Sequence, residues 1–159
     1  MKSASPTTSR QVREAFAFLT GLGYAVVSDE AEGLGGEIEF RSATTWVVVS
    51  WDNRDRVVDL EFASTDRSWF GRMSWDAIDH LLRGAERFEA EPPFYRNAPL
   101  EALAAFTRNN LHEIERRLSD TERSASASFL AHLEADRSRR AAAYWEASPL
   151  GPTGSRRAT

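Results

Sequence analysis

The stretch between residues 37 and 63 constrains the fold more than any other part of this chain. Apolar and charged side chains alternate over 37–41 and again over 58–62, which places them on opposite faces of two strands. Between these segments, 46–51 is apolar on both faces, as is typical of a central strand that is covered on both sides. The pattern predicts two consecutive antiparallel hairpins, which pair 37–42 with 45–51 and 45–51 with 56–63.

Helical and weaker strand patterns precede these hairpins. Apolar residues at helical spacing predict a first helix from about Ser9, and Gly21 and Gly23 are suited to end it. Residues 24–28 are predicted to form a first strand. The stretch 29–36, with its three glycines and three acids, is predicted to be a loop.

Three further helices are predicted after the sheet. Ser74 is a good N-cap and Gly84 a good end for the first of them, and Pro99 suits the first turn of the second. The last helix is predicted from near Thr121 to about Trp145. Because a run of strands precedes a run of helices, the predicted fold class is α+β. It has an N-terminal helix, an antiparallel sheet of about four strands, then three helices including a C-terminal helical hairpin.

The length of 159 residues favours one domain. The predicted organisation is a disordered N-terminus (1–8), a single α+β domain (9–147) and a flexible basic tail (148–159). Within the domain, the sheet part spans about 24–63 and the helical part about 74–147.

Composition narrows the functional classes. Cysteine is absent, which excludes disulfides and thiol catalysis and fits a reducing compartment. No apolar run approaches the roughly 18 residues that span a bilayer, and the start has no apolar signal segment. We therefore expect a cytoplasmic protein with no membrane partner. The net charge of −4 disfavours nucleic acid as a partner, and the bias toward arginine and alanine suggests a bacterial source.

The strongest functional signal is electrostatic. Residues 29–61 contain nine acids and three arginines, a balance of −6 that exceeds the −4 of the whole chain. Glu37 and Glu39 share a face of one strand, and Asp59 and Glu61 share a face of another. Such a carboxylate patch is suited to a basic partner. The alternative is a solvated outer face that maintains solubility.

Aromatic residues mark the junction between sheet and helix. Trp69, Phe70 and Trp75 lie there, next to Arg67 and Arg72. Exposed aromatics beside arginines are typical anchors of protein interfaces. The alternative is that they pack in the core, where large aromatics dominate.

Candidate catalytic, cofactor and metal sites are weak. Asp76 and His80 are four residues apart on a predicted helix, but zinc would need further ligands, and the alternative is an exposed pair. The glycine-rich segment 33–36 lacks the Lys-Ser/Thr and the helix that a phosphate loop requires. The sequence therefore predicts no catalytic residue, no metal and no cofactor, and we do not expect an enzyme.

The layout of residues 16–82 resembles that of small uncharacterised bacterial α+β proteins, some of them immunity proteins in toxin–antitoxin neighbourhoods. The residues that carry it are FLTGLGY, the WVVVSWDNRDRVVDLEF hairpin and the SWDAIDHLL helix. The resemblance implies a protein that works by binding another protein, and it assigns no functional residue.

Three functional hypotheses follow. The first is a non-enzymatic protein-binding module of the immunity-inhibitor type, whose acidic sheet face meets a basic partner. The second is a structural subunit of a bacterial assembly that docks through its helices at 100–145. The third is a small enzyme or ligand binder with a pocket between sheet and helices. The identity of the partner and the oligomeric state stay open. Under the first hypothesis, replacing four acids of the patch with lysine weakens binding without unfolding the chain. These acids are Glu37, Glu39, Asp59 and Glu61.

Overall fold

The computed structural model describes residues 6–66, 71–84 and 97–147. They form a five-stranded antiparallel sheet and five helices, which confirms the predicted α+β class. The strands lie side by side in chain order. They are β1 (Ala25–Glu32), β2 (Gly35–Arg41), β3 (Thr45–Asp52), β4 (Val57–Ser64) and β5 (Met73–Ser74). The helices are α1 (Ser9–Ala15), α2 (Phe18–Gly21), α3 (Trp75–Arg83), α4 (Leu100–Arg117) and α5 (Arg123–Ala147).

The two predicted central hairpins are confirmed. Ile38 pairs with Val49, and Val49 pairs with Leu60, so three apolar side chains lie next to one another on one face. We call this face the core face. The ring of Phe16, just after α1, stacks on that of Phe40, with centroids 5.9 Å apart. Burial of this face against the helices drives the fold because apolar surface leaves water.

The opposite face of β3 is also buried, as the sequence predicted for a central strand. Val48 is fully buried there, and Trp46 is nearly so. The guanidinium of Arg41 lies over the Trp46 ring, 4.9 Å from its centroid, which is a cation–π contact. Val48 pairs with Glu39 on one side and Glu61 on the other, so carboxylates flank the middle of this face.

The predicted loop at 29–36 is wrong. β1 continues to Glu32, and a two-residue turn leads directly into β2. Gly33 has a φ of 55° in that turn, a conformation that glycine adopts without strain. A Cβ on Gly36 would lie 2.3 Å from the Trp51 ring, so only glycine fits in this part of β2. The ladder with β2 and the Trp51 contact outweigh the weak strand propensity of this stretch.

The sheet also has one strand more than the predicted four or so. β5 consists of two residues, and its ladder pairs Ser74 with Glu61 and Met73 with Phe62. A segment of two residues is too short to show an alternating pattern, so this strand could not be predicted from the sequence.

The predicted first helix begins at Ser9, and a break at residues 16–17 divides it into α1 and α2. Thr8 caps α1 in a reciprocal arrangement with Gln11. The amide of Thr7 donates to the side chain of Asn53 at 2.7 Å, so the start of α1 is tied to the turn after β3.

The later helices follow the predicted capping signals. The Ser74 hydroxyl accepts from the Ala77 amide at the start of α3, and Gly84, with a φ of 83°, ends that helix. α4 begins directly after Pro99. The short connection 118–122 leads into α5, which packs mainly against α3. No helix in the described part of the chain is long and apolar enough to cross a membrane.

Some predictions fall on residues that the structure does not describe. They concern Trp69 and Phe70 of the aromatic junction, the first five residues of the predicted disordered N-terminus, and the predicted tail at 148–159.

Candidate functional site

The four acids predicted to bind a partner lie on one face of the sheet. Glu37 of β2 and Asp59 of β4 both pair with Ser50 of β3, and Glu39 and Glu61 both pair with Val48. The carboxylates therefore form two rows across the central strand. We call this side of the sheet the carboxylate face.

Arg72 lies among these carboxylates and neutralises part of their charge. Its guanidinium donates to both oxygens of Glu37, at 2.8 and 2.9 Å, and to Glu39 at 2.5 Å. The nearest oxygen of Glu61 is 3.9 Å away. From the sequence, Arg72 was predicted only to lie beside the aromatic junction. No local pattern could show that its side chain reaches a strand 35 residues earlier.

Asp59 differs from the other three acids. Its carboxylate accepts a hydrogen bond from the Leu60 amide at 2.9 Å, and no cation of the described residues pairs with it. Partial burial raises the pKa of the Asp59 carboxyl above its usual value, against the effect of the Leu60 amide. Burial and the negative charges of Asp59 and Glu37 also raise the pKa of Glu61, and Arg72 opposes the shift. At both carboxylates the effect of burial on the pKa therefore outweighs the opposing effect, that of the Leu60 amide at Asp59 and that of Arg72 at Glu61.

A cavity of about 380 Å³ opens beside these two carboxylates. Its carboxylate wall comes from β4, and its apolar wall comes from β5, α3 and α5. We call it the β4 cavity. The described residues that form these two walls include Asp59, Glu61, Met73, Trp75, Leu130 and Leu133. The volume falls within the range of about 300–1,000 Å³ that is usual for ligand pockets.

Trp75 is the one residue of the predicted aromatic junction that the structure describes. It lines the β4 cavity, and its ring meets that of Phe106 edge-on, with centroids 5.6 Å apart. Three of the predicted partner-binding residues, Asp59, Glu61 and Trp75, are therefore brought together around one cavity. Glu37 and Glu39 lie on the same face of the sheet and are joined to it through Arg72.

Asp76 and His80 are not the exposed pair that the sequence suggested as the alternative to a metal site. Both are almost fully buried, at 1% and 4% exposure. Nδ1 of His80 lies 2.7 Å from the carbonyl oxygen of Asp76, so this nitrogen carries the proton in that hydrogen bond. The Asp76 carboxylate pairs with Arg137 of α5. Among the described residues, no group of three or more acidic or histidine side chains could hold a metal ion.

Arg137 is a structural residue that was given no role from the sequence. It is 8% exposed and joins α5 to α3 through Asp76. Its spacing could have indicated this, since Leu130, Leu133 and Arg137 recur at helical intervals on the buried side of α5.

Two groups of exposed apolar residues stand apart from the carboxylate face. One group surrounds β1, where Val27 is 51% exposed on the outermost strand of the described sheet. The other is the pair Tyr144 and Trp145 near the end of α5, whose rings meet edge-on at 5.6 Å. A second depression, of about 940 Å³, lies between the N-terminal segment and α4 and contains none of the predicted site residues.

Comparison with known proteins gave no match. No family model matches this chain, and neither the curated proteins nor the solved structures contain a match to it.

Proposed function

We propose that this protein is a non-enzymatic, protein-binding module and that the carboxylate face recognises a basic surface of its partner. The proposed setting is the bacterial cytoplasm, which the absence of cysteine fits. An inhibitor of the immunity type is the class that agrees with the layout of residues 16–82.

The observation that carries the proposal is the environment of Asp59. The Asp59 side chain is exposed at the surface, where the surrounding protein still raises the pKa of its carboxyl, and no cation of the described residues is paired with it. A carboxylate in such a setting gains more from a cation than one in open water, because the local dielectric is lower. A partner that supplies a positive group there relieves a cost that the free protein carries.

The contacts of Arg72 support a guanidinium as the group that this face would accept from a partner. Its guanidinium makes a two-pronged contact with Glu37 and a further bond to Glu39, the geometry in which arginine binds carboxylates most strongly. Three of the four carboxylates of the face, those of Glu37, Glu39 and Glu61, lie within 4 Å of this guanidinium, and the fourth, Asp59, has no such contact. A second arginine, from a partner, would meet the same chemistry at Asp59 and Glu61.

The pKa shifts favour binding over acid–base catalysis. A pair of catalytic carboxylates needs environments that separate the two pKa values, so that one stays protonated and the other ionised. Here the pKa of Asp59 and that of Glu61 are both raised, each mainly by burial.

A capture experiment with matched variants tests the proposal. The intact chain is immobilised and exposed to bacterial lysate, alongside the Asp59→Asn/Glu61→Gln double variant. We expect the wild type to retain a basic protein whose binding weakens as salt is raised, and the double variant to bind it about tenfold more weakly.

The control is Asp55→Asn combined with Glu101→Gln, which removes the same charge from an exposed turn and from an exposed position of α4, both away from the carboxylate face. Equal retention by the wild type and the Asp59→Asn/Glu61→Gln variant would refute the proposal. The fourfold reversal to lysine is a poor test in this fold, because three lysines would then surround Arg72.

A second candidate function is supported by the exposed aromatic pair on α5. Tyr144 and Trp145 are 52% and 47% exposed at the end of a 25-residue helix. Such a pair is suited to dock a structural subunit into a larger assembly. Replacing both residues with serine tests this, since it should abolish assembly and leave the carboxylate face intact. Deletion of the chain after residue 119 is less clean, because it also removes Leu130 and Leu133 from the core.

A further inference from the structure

The β4 cavity has two chemically different walls. Leu130 and Leu133 of α5, with Met73 of β5, form an apolar wall, and Asp59 and Glu61 of β4 stand opposite. A cavity with this division suits a ligand with an apolar stem and a positively charged end. Long basic side chains have this form, since their methylene groups lie along apolar surface while the charged end meets polar groups.

We infer that the β4 cavity receives one long basic side chain, an arginine or lysine, from the partner protein. The methylene stem lies against Leu130, Leu133 and Trp75, and the charged end binds the carboxylates of Asp59 and Glu61. This inference rests on the proposed function, because it names the part of the partner that the carboxylate face would hold.

The charge around the cavity favours a cation over a neutral or acidic group. The described residues that line it include four carboxylates and one guanidinium, that of Arg72. Asp76, one of the four, already pairs with Arg137. Arg72 is bound to Glu37 and Glu39 outside the cavity. The fourth carboxylate, that of Glu134, lies on α5 next to Leu133. Asp59 and Glu61 are the two that lie together on β4, and the inference assigns the entering cation to them.

The size of the cavity agrees with a single side chain. Its volume of about 380 Å³ is near the lower end of ligand pockets. It lies at the margin of the carboxylate face, between β4 and the helices. A partner resting on that face could therefore insert one residue into the cavity while its surrounding surface meets Glu37 and Glu39.

A titration followed by NMR tests the inference on the full chain. The probe is the capped peptide acetyl-Gly-Arg-Gly-amide, and the reference is the same peptide with citrulline, which replaces the guanidinium by a neutral urea. We expect saturable shifts of amide signals in 57–61, 73–77 and 130–134. The citrulline peptide should bind at least about tenfold more weakly, as expected when a charge-assisted hydrogen bond is lost.

Three variants assign the signals to the cavity. Asp59→Asn should weaken binding of the arginine peptide about tenfold. Ala77→Leu should fill the cavity and abolish binding, since Ala77 lines it and a larger apolar side chain would occupy the space. Asp55→Asn, an exposed turn residue, should bind like the wild type. Thermal unfolding of each variant shows whether it is folded. If Ala77→Leu does not fold, the weaker binding expected of Asp59→Asn tests the inference.

The outcomes separate this inference from the proposed function. Shifts that map to Glu37 and Glu39 and persist in Ala77→Leu would overturn the cavity inference and leave the carboxylate face as a binding surface. Equal binding of the citrulline peptide would also overturn it.

Agmatine, a free guanidinium compound, is the second probe. Binding of agmatine at least tenfold tighter than the peptide would assign the cavity to a small molecule instead. A partner captured without dependence on Asp59 or Glu61 would instead refute the proposed function.

Discussion

Arg72 and Arg137 each bind carboxylates from a distant part of the chain, but their surroundings differ. Arg137 and Asp76 have side chains that are 9% and 1% exposed, between α5 and α3. Arg72 and Glu37 are both 36% exposed, on the carboxylate face. The same pair of chemical groups therefore does two different tasks. The buried pair fixes how two helices pack, and the exposed cluster sets the charge of a surface that a partner can reach.

Burial explains why the first pair is expected to be structural. Loss of one partner of a buried ion pair leaves a charge that water cannot solvate, and this costs about 3–5 kcal/mol. Exposed pairs contribute about 0–1 kcal/mol because water and salt screen them. Variants of the two arginines should therefore differ clearly in stability.

The largest expected effect is that of Arg137→Met. We expect the free energy of unfolding to fall by about 3 kcal/mol or more, because Asp76 would stay buried without the guanidinium. Urea unfolding followed by circular dichroism measures it. Arg139→Met is the matched control on the same helix, since Arg139 is 76% exposed and should change stability by less than about 0.5 kcal/mol. Equal effects of the two variants would contradict the comparison.

A smaller effect is expected for Arg72→Gln. Glu37, Glu39 and Glu61 would then repel one another, which should lower the free energy of unfolding by about 1 kcal/mol at pH 7 and low salt. The loss should shrink in 0.5 M salt and as the glutamates become protonated at low pH. Arg54→Gln, in an exposed turn, is the control. A loss that does not respond to salt would show that Arg72 acts by packing.

The smallest effect, and one of opposite sign, is expected for Asp59→Asn. The pKa of Asp59 is raised in the folded protein, so the wild type loses stability as pH rises through that pKa. The variant lacks this loss and should be more stable at pH 7, by up to about 0.5 kcal/mol. The difference should vanish below the ordinary aspartate pKa of about 3.9. Asp55→Asn serves as the control, and a destabilised Asp59→Asn would mean that the carboxylate has a structural role.

The sequence could predict the strands in which apolar and charged residues alternate and the helix whose first turn is preceded by a capping residue. Ile38, Phe40, Leu60 and Phe62 mark the core face by alternation, and the N-cap Ser74 marks α3. The length of β1 could not be predicted, because its ladder with β2 outweighs weak local propensity.

The candidate site could be predicted only in part. The shared face of the four acids follows from the strand period. Neither the position of Arg72 nor the β4 cavity follows from it, because both depend on contacts between elements that are distant in the chain. The buried Asp76–Arg137 pair could be predicted in part. The helical spacing of Arg137 with Leu130 and Leu133 indicates that Arg137 is buried, but it does not identify Asp76 as its partner.

The pKa of the Asp59 carboxyl, measured by NMR in the free protein and with the acetyl-Gly-Arg-Gly-amide peptide, tests the central claim most directly. We expect a value above that of an ordinary aspartate, about 3.9, in the free protein. We also expect the pKa of Asp59 to fall when the peptide is saturating, because a nearby cation favours the ionised form. An ordinary or lowered pKa in the free protein, or a raised pKa that the peptide leaves unchanged, would contradict it.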